Sequence, residues 1–197
     1  MRFLLVILCL VSFFLLPGQY AVGQVNLINT GWLRTHNLQT SEGKIQPVLD
    51  GNFPLNLLVF LSPECPLSIN YTKTLNSLAE QFSGKANIIG IIPGRSYSLG
   101  QADSFARDYK LRFPVFIDTD KKITGLVKAT ITPEVILFDR KGEIIYRGAI
   151  DDWAVDLGKK KISATDPYLG NAITAHLAGN QVVLKRTRPV GCLINDL

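Results

Sequence analysis

An α/β fold built on one central, mixed β-sheet flanked by helices is predicted by three features of this 197-residue chain. Short apolar runs alternate with stretches of helical spacing from Leu57 onward. The last two runs flank a tight turn, which adds an antiparallel pair to strands otherwise joined through helices. The length suits one hydrophobic core without disulfide staples.

Residues 24–56 have weak periodicity and many turn residues, among them Asn37, Ser41-Glu42-Gly43 and Asp50-Gly51-Asn52, so a short lead-in with a hairpin is expected there. Leu57 to Leu61 is continuous, short and apolar, the pattern of a strand buried on both faces. Pro66 through Phe82 places Leu67, Tyr71, Leu75, Leu78 and Phe82 on one side of a helix that ends near Ser83-Gly84. Ile88 to Ile92 is a second buried strand, after which Pro93-Gly94 turns the chain. Ala102 to Leu111 has helical spacing through Phe105 and Tyr109. Pro114 to Ile117 is a third strand, and Asp120 to Lys128 a short helix. Val135 to Phe138 and Ile144 to Arg147 flank Asp139-Arg140-Lys141-Gly142 as a hairpin. Tyr168 to Leu177 is the last helix, stopped by Gly179-Asn180.

The amino terminus reads as a targeting segment. Met1-Arg2 precedes Phe3 to Leu16, a stretch without a charge, and then come Pro17-Gly18 and the small residues Ala21-Val22-Gly23. Charged, apolar and small, in that order, is the pattern of a secretory signal peptide, with cleavage after Gly23. The apolar run is shorter than the roughly 20 residues of a membrane span, so membrane association is expected only if the segment stays uncleaved. Cys9 lies mid-run, with no small residue before it, and is not read as a lipid-attachment site. The expected organisation is therefore a signal peptide at 1–23, one domain at 24–180 and a tail at 181–197.

After cleavage two cysteines remain, Cys65 and Cys192, in a chain bound for a periplasmic or extracellular compartment where disulfides persist. Two is too few for a disulfide scaffold and the right number for one redox pair. The net charge of +5 falls by the one charge of Arg2. Its basic residues cluster only at Lys159-Lys160-Lys161 and Lys185-Arg186-Thr187-Arg188, without aromatic interleaving, so nucleic acid is excluded as a partner. His36 and His176 have no ligand spacing and no Cys-x-x-Cys-His is present, so neither a metal nor another cofactor is expected. Asn70-Tyr71-Thr72 is a formal glycosylation sequon inside the expected helix.

The chemistry concentrates in Ser62-Pro63-Glu64-Cys65-Pro66-Leu67-Ser68, where a strand gives way to a helix. A thiol at a helix N-terminus faces unpaired N–H groups and the positive end of the dipole, which favours its thiolate and makes Cys65 a candidate nucleophile. Glu64 opposes that effect, and the sum has no sign from sequence.

The run FLSPECPLSINY, the run TITPEVILFDRKGEIIYRGAIDD and the closing RTRPVGCLI resemble the thioredoxin-like redoxins of the AhpC/TSA-related group found among exported bacterial proteins, over about residues 50–194. The resemblance implies a thioredoxin-like fold. It gives Cys65 the attacking place, while Ser68 stands where thioredoxins carry the resolving cysteine. Cys192 would resolve instead, if the tail folds back over the helix start; a static staple of the tail is the other reading of the same pair. Thr132-Pro133 matches the loop whose proline is cis and exposes backbone beside the thiol to an extended substrate; an ordinary strand-leading proline is the alternative.

Peroxidase chemistry additionally needs a hydroxyl and an arginine to hold the peroxide. Ser62 fits the hydroxyl position of the peroxiredoxin motif, Leu58 replaces its proline, and Arg147 is the candidate arginine, unless it is an exposed hairpin residue. The implied catalytic set is thus Cys65, Cys192, Ser62, Ser68 and Pro133, with Thr132, Arg147 and Pro66 on the substrate side. Asp151-Asp152 is read as a solvated acidic turn or as a partner for Arg186 or Arg188 in the tail. The implied activity is thiol–disulfide exchange or thiol-dependent peroxide reduction, on a protein or small-molecule disulfide or a hydroperoxide, with an external thiol as electron donor. A non-catalytic binding module pinned by a disulfide is the third reading.

Overall fold

The computed structural model describes residues 27–194. The expected signal segment, with Cys9, lies outside them. In chain order the elements are α1 (Thr30–Thr35), β1 (Asn37–Thr40), β2 (Ile45–Pro47), β3 (Leu55–Phe60), α2 (Pro66–Gln81), β4 (Ala86–Pro93), α3 (Leu99–Asp108), β5 (Val115–Asp118), α4 (Lys122–Val127), β6 (Ile131–Thr132), β7 (Glu134–Asp139), β8 (Ile144–Gly148), β9 (Ala154–Asp156), β10 (Lys159–Lys160), α5 (Tyr168–Leu177) and β11 (Cys192–Leu193).

Seven strands form one mixed sheet in the order β2-β1-β5-β4-β3-β7-β8. β3, β4 and β5 run parallel, joined through α2 and α3, and β7 returns antiparallel to β3 before turning into β8. Side chains alternate across a strand. Leu57, Val59 and Leu61 therefore enter the core layer under α2, α3 and α5, while Leu58 and Phe60 enter the layer shared with Leu33 of α1 and with Ile123 and Val127 of α4. All six residues of β3 are buried, the condition its unbroken apolar run requires.

The expected lead-in hairpin is β1–β2, with Leu38 opposite Gln46. Three features depart from expectation. α1 precedes the hairpin, started by Asn29, whose side chain accepts from the Trp32 amide. α3 begins at Leu99 rather than Ala102, because Ser98 and Gln101 form a reciprocal capping box that supplies a start upstream of the apolar spacing. The tail, for which no strand was expected, forms β11 and pairs with β6 in a separate two-stranded sheet.

The acidic pair after β8 is a correction. Asp151 is buried and accepts from the Tyr71 hydroxyl at 2.6 Å and the Trp153 amide at 2.9 Å, so it is neither solvated nor paired with the tail arginines. Asp152 binds Lys161 and the Thr165 hydroxyl and amide. These bonds hold its carboxyl well below the usual carboxylate range, the Lys161 bond contributing most. Through Tyr71, α2 is pinned to the connection between β8 and α5. Burial, then the Asp151 contact, pushes the Tyr71 hydroxyl up.

Candidate active site

Cys65 stands at the carboxyl end of β3, as the N-cap of α2, with Pro66 in the first turn. Proline costs nothing there, because its missing N–H would have no helical partner. The loop before the cysteine is closed by the Cys65 amide donating to the Ser62 carbonyl at 3.1 Å and the Ser62 amide donating to the Ser68 Oγ at 3.2 Å. Ser68 is fully buried and holds the loop against the helix. The Ser62 hydroxyl pairs at 2.7 Å with the hydroxyl of Tyr97, from the β4–α3 connection. No pattern in the sequence pointed to Tyr97.

The Thr132–Pro133 peptide bond is cis. It turns the chain from β6 into β7 and leaves the Thr132 carbonyl 3.1 Å from the Cys65 Sγ, where a protonated thiol donates to it. β6 has one strand partner among the described residues, β11, with Cys192 opposite Thr132 and Leu193 opposite Ile131. That register sets the Cys192 Sγ 2.6 Å from the Cys65 Sγ, with the Cys192 thiol donating, though 127 positions separate the two in sequence.

Gly191 is what lets the tail come this close. A Cβ at that position would fall 2.1 Å from the Thr132 carbonyl oxygen, nearer than any non-bonded carbon sits. Ile194 completes the attachment: its amide donates to the Thr130 carbonyl at 2.9 Å and its side chain is buried in the layer beneath α4. Upstream, the Thr187 hydroxyl meets the Tyr146 hydroxyl at 2.6 Å and accepts from the Ala149 amide at 2.9 Å.

The two sulfurs are unequal. Burial pushes the Cys65 thiol up, but the Cys192 thiol and the amides of Ser68, Cys192 and Leu67 donate to it and bring its pKa below the ordinary value. The sign left open by Glu64 therefore falls on the thiolate side. Cys192 moves the other way, to about 11, first through burial and then through its bond to Cys65 and the charge there. The contact thus favours the thiolate at Cys65 and the thiol at Cys192.

Arg147 is not offered to the thiol. Its guanidinium donates to the Glu134 carboxylate at 2.8 Å and to the Val127 and Lys128 carbonyls at 2.8 and 2.7 Å. All of its nitrogens are thus engaged in joining β8 to β7 and to the end of α4, so the expected peroxide-holding arginine is a structural cap. It is not an exposed hairpin residue either, its side chain being 19% exposed. Leu58, which replaces the motif proline, is fully buried. Among the described residues no group of three or more His, Cys, Asp or Glu side chains is arranged to hold a metal, and His36 stacks on Trp32 at 4.0 Å.

Residues 49–147 match the AhpC/TSA family. No curated protein matches the chain. Among solved structures, a hypothetical protein from Sinorhizobium meliloti is similar at 23% identity and a TM-score of 0.72, covering 81% of this chain and 89% of that one. A secreted disulfide oxidoreductase of Mycobacterium tuberculosis, homologous to E. coli DsbE, is similar at 19% identity and a TM-score of 0.55, covering 74% and 98%. Peroxiredoxin Q of Xanthomonas campestris is similar at 15% identity and a TM-score of 0.55, covering 76% and 94%. These likenesses establish a thioredoxin-like fold.

Proposed function

The chain belongs to the AhpC/TSA family, and on that premise we propose that it is an exported thiol–disulfide oxidoreductase in which Cys65 attacks and Cys192 resolves. The observation that carries this reading is the contact between the two sulfurs at 2.6 Å, one favouring the thiolate and the other the thiol. In the first step the Cys65 thiolate attacks a substrate disulfide, forming a Cys65 mixed disulfide and expelling the other substrate sulfur as a thiolate. Cys192 then gives up its proton to the expelled substrate thiolate and attacks the Cys65 sulfur. The second substrate thiolate leaves, and the Cys65–Cys192 bond holds the two electrons' worth of oxidation until an external thiol donor reduces it. Ser68 and Pro133 shape the site, and Thr132 and Pro66 face the substrate. The charged, apolar and small-residue order of residues 1–23 supports export to a periplasmic or extracellular compartment.

Peroxide reduction is the second reading, favoured by the family and by the Ser62 hydroxyl in the loop before Cys65. There the thiolate would take the terminal peroxide oxygen, releasing an alcohol and leaving a sulfenic acid. Condensation with the Cys192 thiol would expel water and give the same disulfide. The engagement of Arg147 by Glu134 and two carbonyls weighs against it.

The deciding experiment equilibrates the protein across thiol–disulfide buffers and counts free cysteines by alkylation and intact mass. Reversible formation of the Cys65–Cys192 bond at about −120 to −270 mV is expected for an exchange protein. A bond that resists reduction below roughly −300 mV makes it a staple, and rapid hydroperoxide consumption with an ordinary thiol reductant replaces exchange by the peroxidase cycle.

A further inference from the structure

Cys65, the proposed nucleophile, is 2% exposed, and the tail is laid across it. The cover is a short extended segment with a specific form. Its backbone pairs with Ile131–Thr132, its cysteine touches the nucleophile, its Leu193 side chain points outward at 71% exposure, and Ile194 enters an apolar recess. The residue before the cysteine has no side chain, because the Thr132 carbonyl fills the space a Cβ would need. A two-residue edge with no other strand partner among the described residues is open for strand addition once that segment leaves.

We infer that the tail is a resident copy of the substrate strand, so that Cys65 reacts with extended polypeptide segments of the pattern glycine, cysteine, any residue, apolar residue, and only when the tail yields the Ile131–Thr132 edge. The inference rests on the exchange reading and adds its substrate class and its regulation. Each determinant has one cause on the page. Main-chain pairing with β6 demands an extended segment, the Sγ contact demands a cysteine in register with Thr132, and the Thr132 carbonyl rejects a side chain at the preceding position. The recess that holds Ile194 selects an apolar residue two places after the cysteine. The tail meets all four, which makes it both the template and the competitor of any partner.

The test uses a synthetic Val-Gly-Cys-Leu-Ile peptide whose cysteine is joined in a mixed disulfide to a chromogenic aromatic thiol, and a second peptide with valine in place of glycine. Attack by the Cys65 thiolate forms a Cys65–peptide disulfide and releases the aromatic thiolate, which reports the rate; peptide mass locates the adduct. Three proteins are compared: full-length Cys192→Ser, the same chain ended after Arg188, and full-length Cys192→Ser carrying Ile194→Asp, which detaches the tail should the shortened chain fail to fold.

Freeing the tail is expected to raise the rate with the glycine peptide at least about tenfold, the effect of a cover that occupies the edge for about nine-tenths of the time or more. In the freed proteins the valine peptide is expected to react at least about tenfold more slowly than the glycine peptide. Equal rates for the two peptides, or for the closed and freed proteins, overturn the inference. The symmetrical disulfide of the aromatic thiol, which has no backbone to pair, separates the two levels of the argument. If it too leaves Cys65 unmodified in the freed proteins, the exchange reading itself falls; if it reacts while the peptides are not distinguished, exchange stands and the template does not.

Discussion

Burial alone would hold the Cys65 thiol protonated, yet its pKa lies below the ordinary value. The donors that outweigh desolvation come from two places: the first turn of α2 gives the Leu67 and Ser68 amides, and the tail gives the Cys192 amide and thiol. Hydrogen bonds to the charged form favour it, so each donor should be separable by mutation. Cys192→Ala removes the thiol donor and leaves the amide in place. We expect the Cys65 pKa to rise in this variant, read from ultraviolet thiolate absorbance against pH in the reduced protein, because the largest of the favourable contacts has gone. An unchanged pKa would mean that the backbone amides of the helix start and the tail set it without the Cys192 thiol. The place of Cys65 at the start of α2 was legible in its position between an apolar run and a stretch of helical spacing. The part played by Cys192 as a donor to the thiolate was not, because no local pattern encodes a contact between residues 127 positions apart.

At the scale of elements, the stretch between α4 and β7 carries β6 and the cis bond, and Arg147 fixes it. Its guanidinium caps the carboxyl end of α4 through the Val127 and Lys128 carbonyls and pairs with Glu134, whose other oxygen accepts from the Thr130 amide. Glu134 is 3% exposed, so removing its partner leaves a charge in the interior. Breaking a buried pair from one side costs about 3–5 kcal/mol. Arg147→Ala should lower the unfolding free energy by about 3 kcal/mol in urea titration, and Arg147→Lys should recover only part of it, since an ammonium lacks the planar fork that meets all these acceptors. Undiminished stability with lost peroxide turnover would instead restore Arg147 to the substrate.

The same region shows what local sequence does and does not encode. α5 and the β7–β8 hairpin stand at or within a residue or two of where spacing and turn residues put them, because an amphipathic helix and a tight turn are decided by near neighbours. β11 is two residues long, formed only by pairing with β6, and α1 buries a single side chain, Leu33. Neither is long enough to show a period. Gly191 was visible beside Cys192, but its reason, the Thr132 carbonyl, exists only in the folded chain.

Across the whole molecule the two cysteines couple protonation to stability, and the sign of each contribution follows from proton binding. An unfolded cysteine titrates near about 8.5. Cys65 titrates lower in the folded protein, so between its folded pKa and about 8.5 the unfolded chain binds more protons and stability rises with pH. That contribution is lost as pH falls through the folded value. Cys192 titrates at about 11 when folded, so its contribution is fully present below the unfolded value and is lost as pH climbs toward 11. Tyr146, raised to about 12 by burial, and Tyr71, also raised, add further alkaline losses. These belong to the scaffold and cancel when the reduced protein is compared with a Cys65→Ala, Cys192→Ala double variant. The difference in unfolding free energy between the two proteins, measured by urea titration under reducing conditions, should climb from acid pH to a maximum near about 8.5 and decline toward pH 11. A difference that only falls with pH would mean that Cys65 is held as a thiol, leaving the reduced protein without the nucleophile that the exchange cycle requires.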